Sequence, residues 1–173
     1  MTEDQVILVD ENDRELGAMD KMQAHVEGKL HRALSVFIFN SRGDWLLQKR
    51  AEGKYHSAGL WTNTCCSHPR PGEPTELAAH RRLSEEMGIG CRMKLLFTFQ
   101  YKADVGNSLI EHELDHVFAG MSDLVPVLNP AEAQEWRYCT ADEIAADLLA
   151  HPENYTQWFR IVFERVRGGL TFP

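Results

Sequence analysis

The chain has 173 residues, 43% apolar and 25% charged, an ordinary globular composition with enough length for one domain, expected over residues 1–173, to bury a substantial core. Its formal charge of −8, from 26 acidic and 18 basic residues, excludes a nucleic-acid binder held by a general basic surface, while a cluster of cations inside a cleft stays open. No apolar run approaches the roughly 20 residues of a membrane span, and the acidic start MTEDQVILVD lacks the basic and apolar regions of a signal peptide.

In chain order, residues 6–10 (VILVD) read as a short strand and ENDREL as a polar turn. The stretch from Met19 to about Glu27 reads as a short helix carrying Lys21 and His25. Residues 30–40 (LHRALSVFIFN) are a buried strand that returns through the turn NSRGD as a second strand, WLLQKR, at 45–50. Residues 51–74 show little periodicity and much Gly, Pro, Ser and Asn, so they read as a long loop of the kind that is usually functional. Residues 75–88 are the clearest helix, with Gly88 at its end and an apolar stripe of Ala79, Leu83 and Met87. Two strands then flank the turn VGN, and AQEWRYCT is another strand. Residues 140–151 form a helix opened by the capping box Thr140–Glu143, and 155–166 form an amphipathic terminal helix. Hairpins mixed with helices imply an α/β fold, a mixed central sheet with helices on both faces.

Four segments carry candidate chemistry. In WTNTCCSHP (61–69), Cys65 and Cys66 are adjacent, a connection that strains a disulfide, and neither they nor Cys91 and Cys139 follow a zinc-ribbon spacing. Free thiols, and with them the cytoplasm, are the expectation. In IEHELDHVF (110–118), strand alternation puts Glu111, Glu113 and Asp115 on one face, which is either a solvated outer surface or a divalent-cation site. His25, His31 and His68 lie at element ends or in loops, and only the fold can bring them together. Glu85 and Glu86 close a helix that partly fits the Nudix box G-x5-E-x7-R-E-U-x-E-E-x-G-U, through Glu73, Arg81, Leu83, Gly88 and Ile89. Ser67 replaces its first Gly and Arg82 one of its glutamates. Exchanging that Glu for Arg removes a metal ligand and adds a phosphate-binding cation, which suits gripping a diphosphate without cutting it.

With those motifs in order from about residue 4 to 160, the chain resembles the type 1 isopentenyl-diphosphate isomerases, a non-hydrolytic branch of the Nudix superfamily. The resemblance implies a Nudix-type α/β/α sandwich and interconversion of isopentenyl and dimethylallyl diphosphate. It implies Cys66 and Glu113 as catalytic thiol and carboxyl, supported by the Tyr101 hydroxyl, with Cys65 as packing. It implies one divalent metal (Mn, Mg or Zn) on His25, His31, His68, Glu111 and Glu113, and one Mg bound with the substrate diphosphate and held by Glu86. Lys21, Arg50, Lys54 and Arg82 correspond to the cations around that diphosphate and Trp158 to an aromatic residue at the hydrocarbon end. The implied partner is a small isoprenoid diphosphate, with neither nucleic acid nor membrane, for a monomer or weak homodimer. A Nudix hydrolase of a nucleoside diphosphate derivative is the alternative.

Overall fold

A computed structural model describes residues 4–170; the outermost residues of the expected domain, 1–3 and 171–173, lie outside that range. Along the described chain run β1 (Gln5–Val9), β2 (Glu15–Asp20), α1 (Lys21–Glu27), β3 (His31–Phe39), β4 (Trp45–Arg50), β5 (Trp61–Thr62), β6 (Cys65–Ser67), α2 (Thr75–Met87), β7 (Met93–Asp104), β8 (Ile110–Met121), β9 (Ala133–Cys139), α3 (Ala141–Ala150), a 3-10 turn at Pro152–Asn154, and α4 (Gln157–Gly169).

The most apolar stretch of sequence becomes the strand from which the sheet is organised. β3 runs parallel to β8 over its whole length, from His31 opposite Glu113 to Phe39 opposite Met121, and β7 lies antiparallel outside β8. β1 bridges β3 at Leu8–His31 and carries β2, while β4 pairs with β3, β5 and β9. Because side chains alternate across a strand, Leu34, Val36 and Ile38 of β3 pack with Ala79, Leu83 and Met87 of α2. Phe37 and Phe39 instead join Trp158, Phe159 and Phe163 of α4, and Ile144 of α3, on the opposite face. The expected α/β/α layering follows: α2 on one face, α3 and α4 on the other.

Local signals place the helix ends. Gly88 adopts φ +64° and donates its N–H to the Ser84 carbonyl, closing α2. The Thr140–Glu143 capping box is formed in both directions at α3. Three expectations need correction. ENDREL is not all turn, because Glu15 already begins β2, half-exposed and so without an apolar run to announce it. Residues 51–74 are not structureless: β5 and β6 lie within them, too short to show a period. The terminal helix runs from Gln157 to Gly169, displaced beyond 155–166 by the 3-10 turn that precedes it.

Candidate active site

The adjacent cysteines are separated by strand geometry. β6 lies antiparallel to β3 with Cys66 opposite Ser35 and Cys65 opposite Val36. Alternation therefore sends Cys65, fully buried, into the core beneath α2 and turns Cys66 toward α4. All four cysteines are free thiols. The Cys66 Sγ accepts a hydrogen bond from the indole Nε1 of Trp158 at 3.0 Å and donates one to the side-chain Oδ1 of Asn63 at 3.0 Å. Burial pushes its pKa up to about 12, Asp115 adds to the rise, and the group is a thiol rather than a thiolate at neutral pH.

On β8, Glu111, Glu113 and Asp115 do share a face, and it is a buried one, so the solvated-surface reading of 110–118 is corrected. What meets the two glutamates there is a ring of histidines from α1, β3 and the 51–74 stretch. The two glutamates are arranged alike. Each turns one oxygen to histidine: Glu111 Oε1 lies 3.1 Å from His25 Nε2 and 2.5 Å from His56 Nε2, and Glu113 Oε1 lies 2.9 Å from His68 Nε2 and 3.4 Å from His31 Nε2. Each turns the other to Tyr101, whose hydroxyl donates to Glu113 Oε2 at 2.8 Å and reaches Glu111 Oε2 at 3.3 Å. Burial, reinforced by the Glu111 charge, raises the pKa of Glu113. Burial would raise Glu111 as well, but its bonds to Glu113, His25 and His56 take it well below the usual range. Asp115, fully buried beside them, is held well above its ordinary value first by desolvation and then by Glu113, while Ser35 donates to its Oδ2 at 2.6 Å. Desolvation drives His68 down to about 3 and lowers His56 too. It opposes the rise at His25, where Glu111 wins.

This donor set fits a divalent ion. Ligand atoms of His25, His31, His68 and Glu113 all lie within 4.8 Å of one another, and Glu111 reaches the same His25 from the next pleat. His31 Nε2 is buried and has no hydrogen-bond partner. The Nδ1 atoms of His25 and His31 lie 2.6 and 2.8 Å from the carbonyl oxygens of Lys21 and Lys29. Those carbonyls accept an Nδ1–H and leave each Nε2 lone pair free for a metal, the arrangement seen around most histidine ligands.

One cavity of about 410 Å³ gathers most of the remaining candidates: Lys21, Arg50, Lys54, Cys66, His68, Arg82, Tyr101, Glu111, Glu113 and Trp158 all line it. Contacts sort them into two groups. Cys66, Trp158, Tyr101 and the glutamate–histidine cluster form one. In the other, Lys54 Nζ and Arg82 Nη2 both pair with Glu132, at 2.6 and 3.0 Å, and Arg82 also pairs with Glu85 and Glu86, each at 2.7 Å. Lys21 and Lys54 flank the Tyr55 ring at 5.1 and 6.0 Å. Arg50 lies over Trp158 at 5.3 Å, joining the two groups. Lys21, Arg50, Lys54 and Arg82 give the cavity of an acidic chain cations that could receive an anionic group. Glu86 is placed differently. Its carboxylate is buried, bonded by Gln48 Nε2 at 2.9 Å and by Arg82, and does not line the cavity, whereas Glu85 and Glu132 do.

Several residues of this cavity escaped the sequence reading, Tyr55, His56, Arg70 and Glu132 among them. Tyr55 and His56 sit in the stretch read only as loop, Glu132 follows the turn LNPA without any periodic signal, and Arg70 lies in a Pro-rich turn. The one available hint was that GKYHSAG holds a histidine and a tyrosine beside a lysine already of interest.

The NUDIX domain family matches residues 29–159. An isopentenyl-diphosphate Delta-isomerase of Pectobacterium atrosepticum is 55% identical over 162 residues, covering 94% of this chain and 90% of that protein. Isopentenyl-diphosphate Delta-isomerase 1 of Aromatoleum aromaticum is 56% identical over 164 residues, with 95% and 93% covered. Among solved structures, a Deinococcus radiodurans protein superposes with a TM-score of 0.78 at 20% identity, over 93% of this chain and 98% of that one, which speaks to the fold alone.

Proposed function

The chain belongs to the Nudix family and, within it, to the isopentenyl-diphosphate Delta-isomerases, and from that premise we propose how its residues divide the work of moving the double bond. The enzyme is an isomerase that converts isopentenyl diphosphate into dimethylallyl diphosphate and back. The observation that carries the assignment of roles is that Cys66 and Glu113 line one cavity together with a set of cations.

The alkene carries no activating group. Moving its double bond requires a proton to add at the terminal carbon, giving positive charge at the branched carbon, and another proton to leave the carbon on the diphosphate side. Cys66 and Glu113 supply the two exchanging groups. Burial favours the protonated form of each; turnover needs one of the two protonated, to deliver its proton to the terminal carbon, and the other deprotonated, to take the proton that leaves the carbon on the diphosphate side. Tyr101, bonded to Glu113, fixes which oxygen faces the histidines. Trp158 packs its indole against the thiol and offers a ring face to a neighbouring cation, worth about 0.5–2 kcal/mol. A divalent ion held by His25, His31, His68, Glu111 and Glu113 would sharpen the acidity of the carboxyl that shares it. Lys21, Arg50, Lys54 and Arg82 bind the diphosphate, so that energy from the non-reacting end positions the alkene. Mg²⁺ would be bound with that diphosphate, and Glu86, the carboxylate assigned to it by resemblance, would have to turn from Gln48 and Arg82 to reach it. Residues 4–170 act as one domain, and the four free thiols suit the cytoplasm. Among the described residues no helix is long and apolar enough to cross a membrane.

Arg82 argues against the hydrolase alternative, because it neutralises Glu85 and Glu86 where a hydrolase needs them for metal. Incubation with isopentenyl diphosphate decides between the two: dimethylallyl diphosphate without release of phosphate is expected, and phosphate release from nucleoside diphosphate derivatives in its place would overturn the isomerase.

A further inference from the structure

His56 is 4% exposed and is held from three sides. Its Nε2 meets Glu111 Oε1 at 2.5 Å, its Nδ1 lies 3.1 Å from the Ser57 hydroxyl, and its ring stands edge-on to Trp158, 5.8 Å between centroids. Tyr55 packs across its other side at 4.4 Å. The same Trp158 donates to Cys66. A continuous line of contacts therefore runs from Glu111 through His56 and Trp158 to the Cys66 thiol.

We propose that His56 is a positioning residue: it donates its Nε2–H to Glu111, fixing the carboxylate that belongs to the metal cluster, and braces Trp158 against Cys66. The reading rests on the metal-dependent isomerase function above. Glu111 needs such a partner. It is buried, and one of its oxygens faces both His25 and His56, while the other makes a long 3.3 Å contact to Tyr101. When His25 gives its Nε2 to a metal, it can no longer donate to that oxygen. His56 then remains as the neutral donor that keeps the carboxylate in one rotamer, with Ser57 setting the tautomer by donating to Nδ1. His56 is close enough to His25 and Glu111 to form a donor triad with them, but its ring also carries the packing against Trp158. That second contact makes it a hinge between the metal side and the hydrocarbon side of the cavity.

The test uses the full chain and Mn²⁺ alone, with free Mn²⁺ followed by its electron paramagnetic resonance signal, and turnover measured separately. His56→Leu keeps the volume and removes the donor; His56→Gln restores an N–H of similar reach. Losing an outer hydrogen-bond partner of a ligand costs about 10- to 100-fold in metal affinity. The expected result is that loss in His56→Leu, with His56→Gln within about threefold of the unsubstituted chain and both variants melting normally. Unchanged Mn²⁺ affinity in His56→Leu overturns the proposal. So does an equal loss in both variants, since packing alone would then explain it. Either of those results with an unsubstituted chain that binds Mn²⁺ and isomerises leaves the assigned function standing. An unsubstituted chain that takes up no Mn²⁺ removes both.

Discussion

Tyr101→Phe isolates one hydroxyl. The ring is stacked on Phe99 at 5.5 Å and buried, so the phenyl keeps its place and the fold is undisturbed. What is lost is the donation to Glu113 Oε2 at 2.8 Å, since the 3.3 Å contact to Glu111 is too long to contribute much. A hydrogen bond to a charged partner contributes about 1.5–3 kcal/mol, and Glu113 Oε2, itself buried, gains no water in exchange. If that bond tightens as Glu113 gives up its proton, kcat falls by about 10- to 100-fold. The histidines meet the other oxygen of Glu113, so metal content should not change, and KM should move little because the diphosphate cations are untouched. The assay is steady-state formation of dimethylallyl diphosphate, alongside metal analysis of the same preparation. A kcat within twofold of the unsubstituted enzyme would refute the role given to Tyr101, and loss of metal in parallel with kcat would show that the hydroxyl serves the cluster rather than the proton transfer.

Cys66→Ala should lower turnover by about 10²- to 10⁴-fold, as expected for a positioned proton-transfer group, with an unchanged melting temperature and full metal content; residual activity near the starting level sinks the assignment of the thiol. Glu132 is held down to about 2: burial alone would raise it, but Lys54 and Arg82 outweigh that. A carboxyl depressed on folding stabilises above its unfolded value near 4.5 and loses that contribution as pH falls toward 2. Urea unfolding between pH 6 and 3 should therefore show an acid loss that Glu132→Gln reduces by about 1–2 kcal/mol, after allowing for partial solvent screening; identical pH profiles would contradict the pairing. Gly88→Ala should lower stability by about 2 kcal/mol or more, because φ is +64° and an added Cβ would meet the Val127 carbonyl oxygen at 2.6 Å. An unshifted melting temperature would mean that the 122–132 segment moves aside without cost.

How far the sequence reached depended on whether local pattern or tertiary placement set each feature. α2 was legible because Ala79, Leu83 and Met87 repeat on one face and Gly88 ends the helix, and β3 because the seven residues from Ala33 to Phe39 are all apolar or small enough to bury. The alternation of IEHELDH put its three carboxyls on one face, but whether that face was wet or dry depended on α1 and the 51–74 stretch, whose histidines meet it and which the segment does not encode. β5 and β6 are two and three residues long, below any period, and are strands only because β3 and β4 offer edges to pair with. Resemblance gave Cys65 to packing and Cys66 to chemistry; that the two lie on opposite faces of β6 needed the pairing with Ser35 and Val36. His56 and Glu132 were missed because their meaning lies entirely in distant partners, Glu111 for one and Lys54 with Arg82 for the other. Glu86 was matched by its place in the Nudix box, which could not say that its carboxylate would be buried against Gln48.

Proton addition at one carbon and removal at another, by groups that exchange with solvent, can be read directly from the product. With isopentenyl diphosphate turned over in D₂O, mass and NMR analysis of the dimethylallyl diphosphate should find deuterium in the newly formed methyl group, absent when metal-stripped or Cys66→Ala protein is used at matched times. Allylic product formed at full rate with no solvent deuterium in that methyl would contradict a pair of solvent-exchanging groups acting in one cavity.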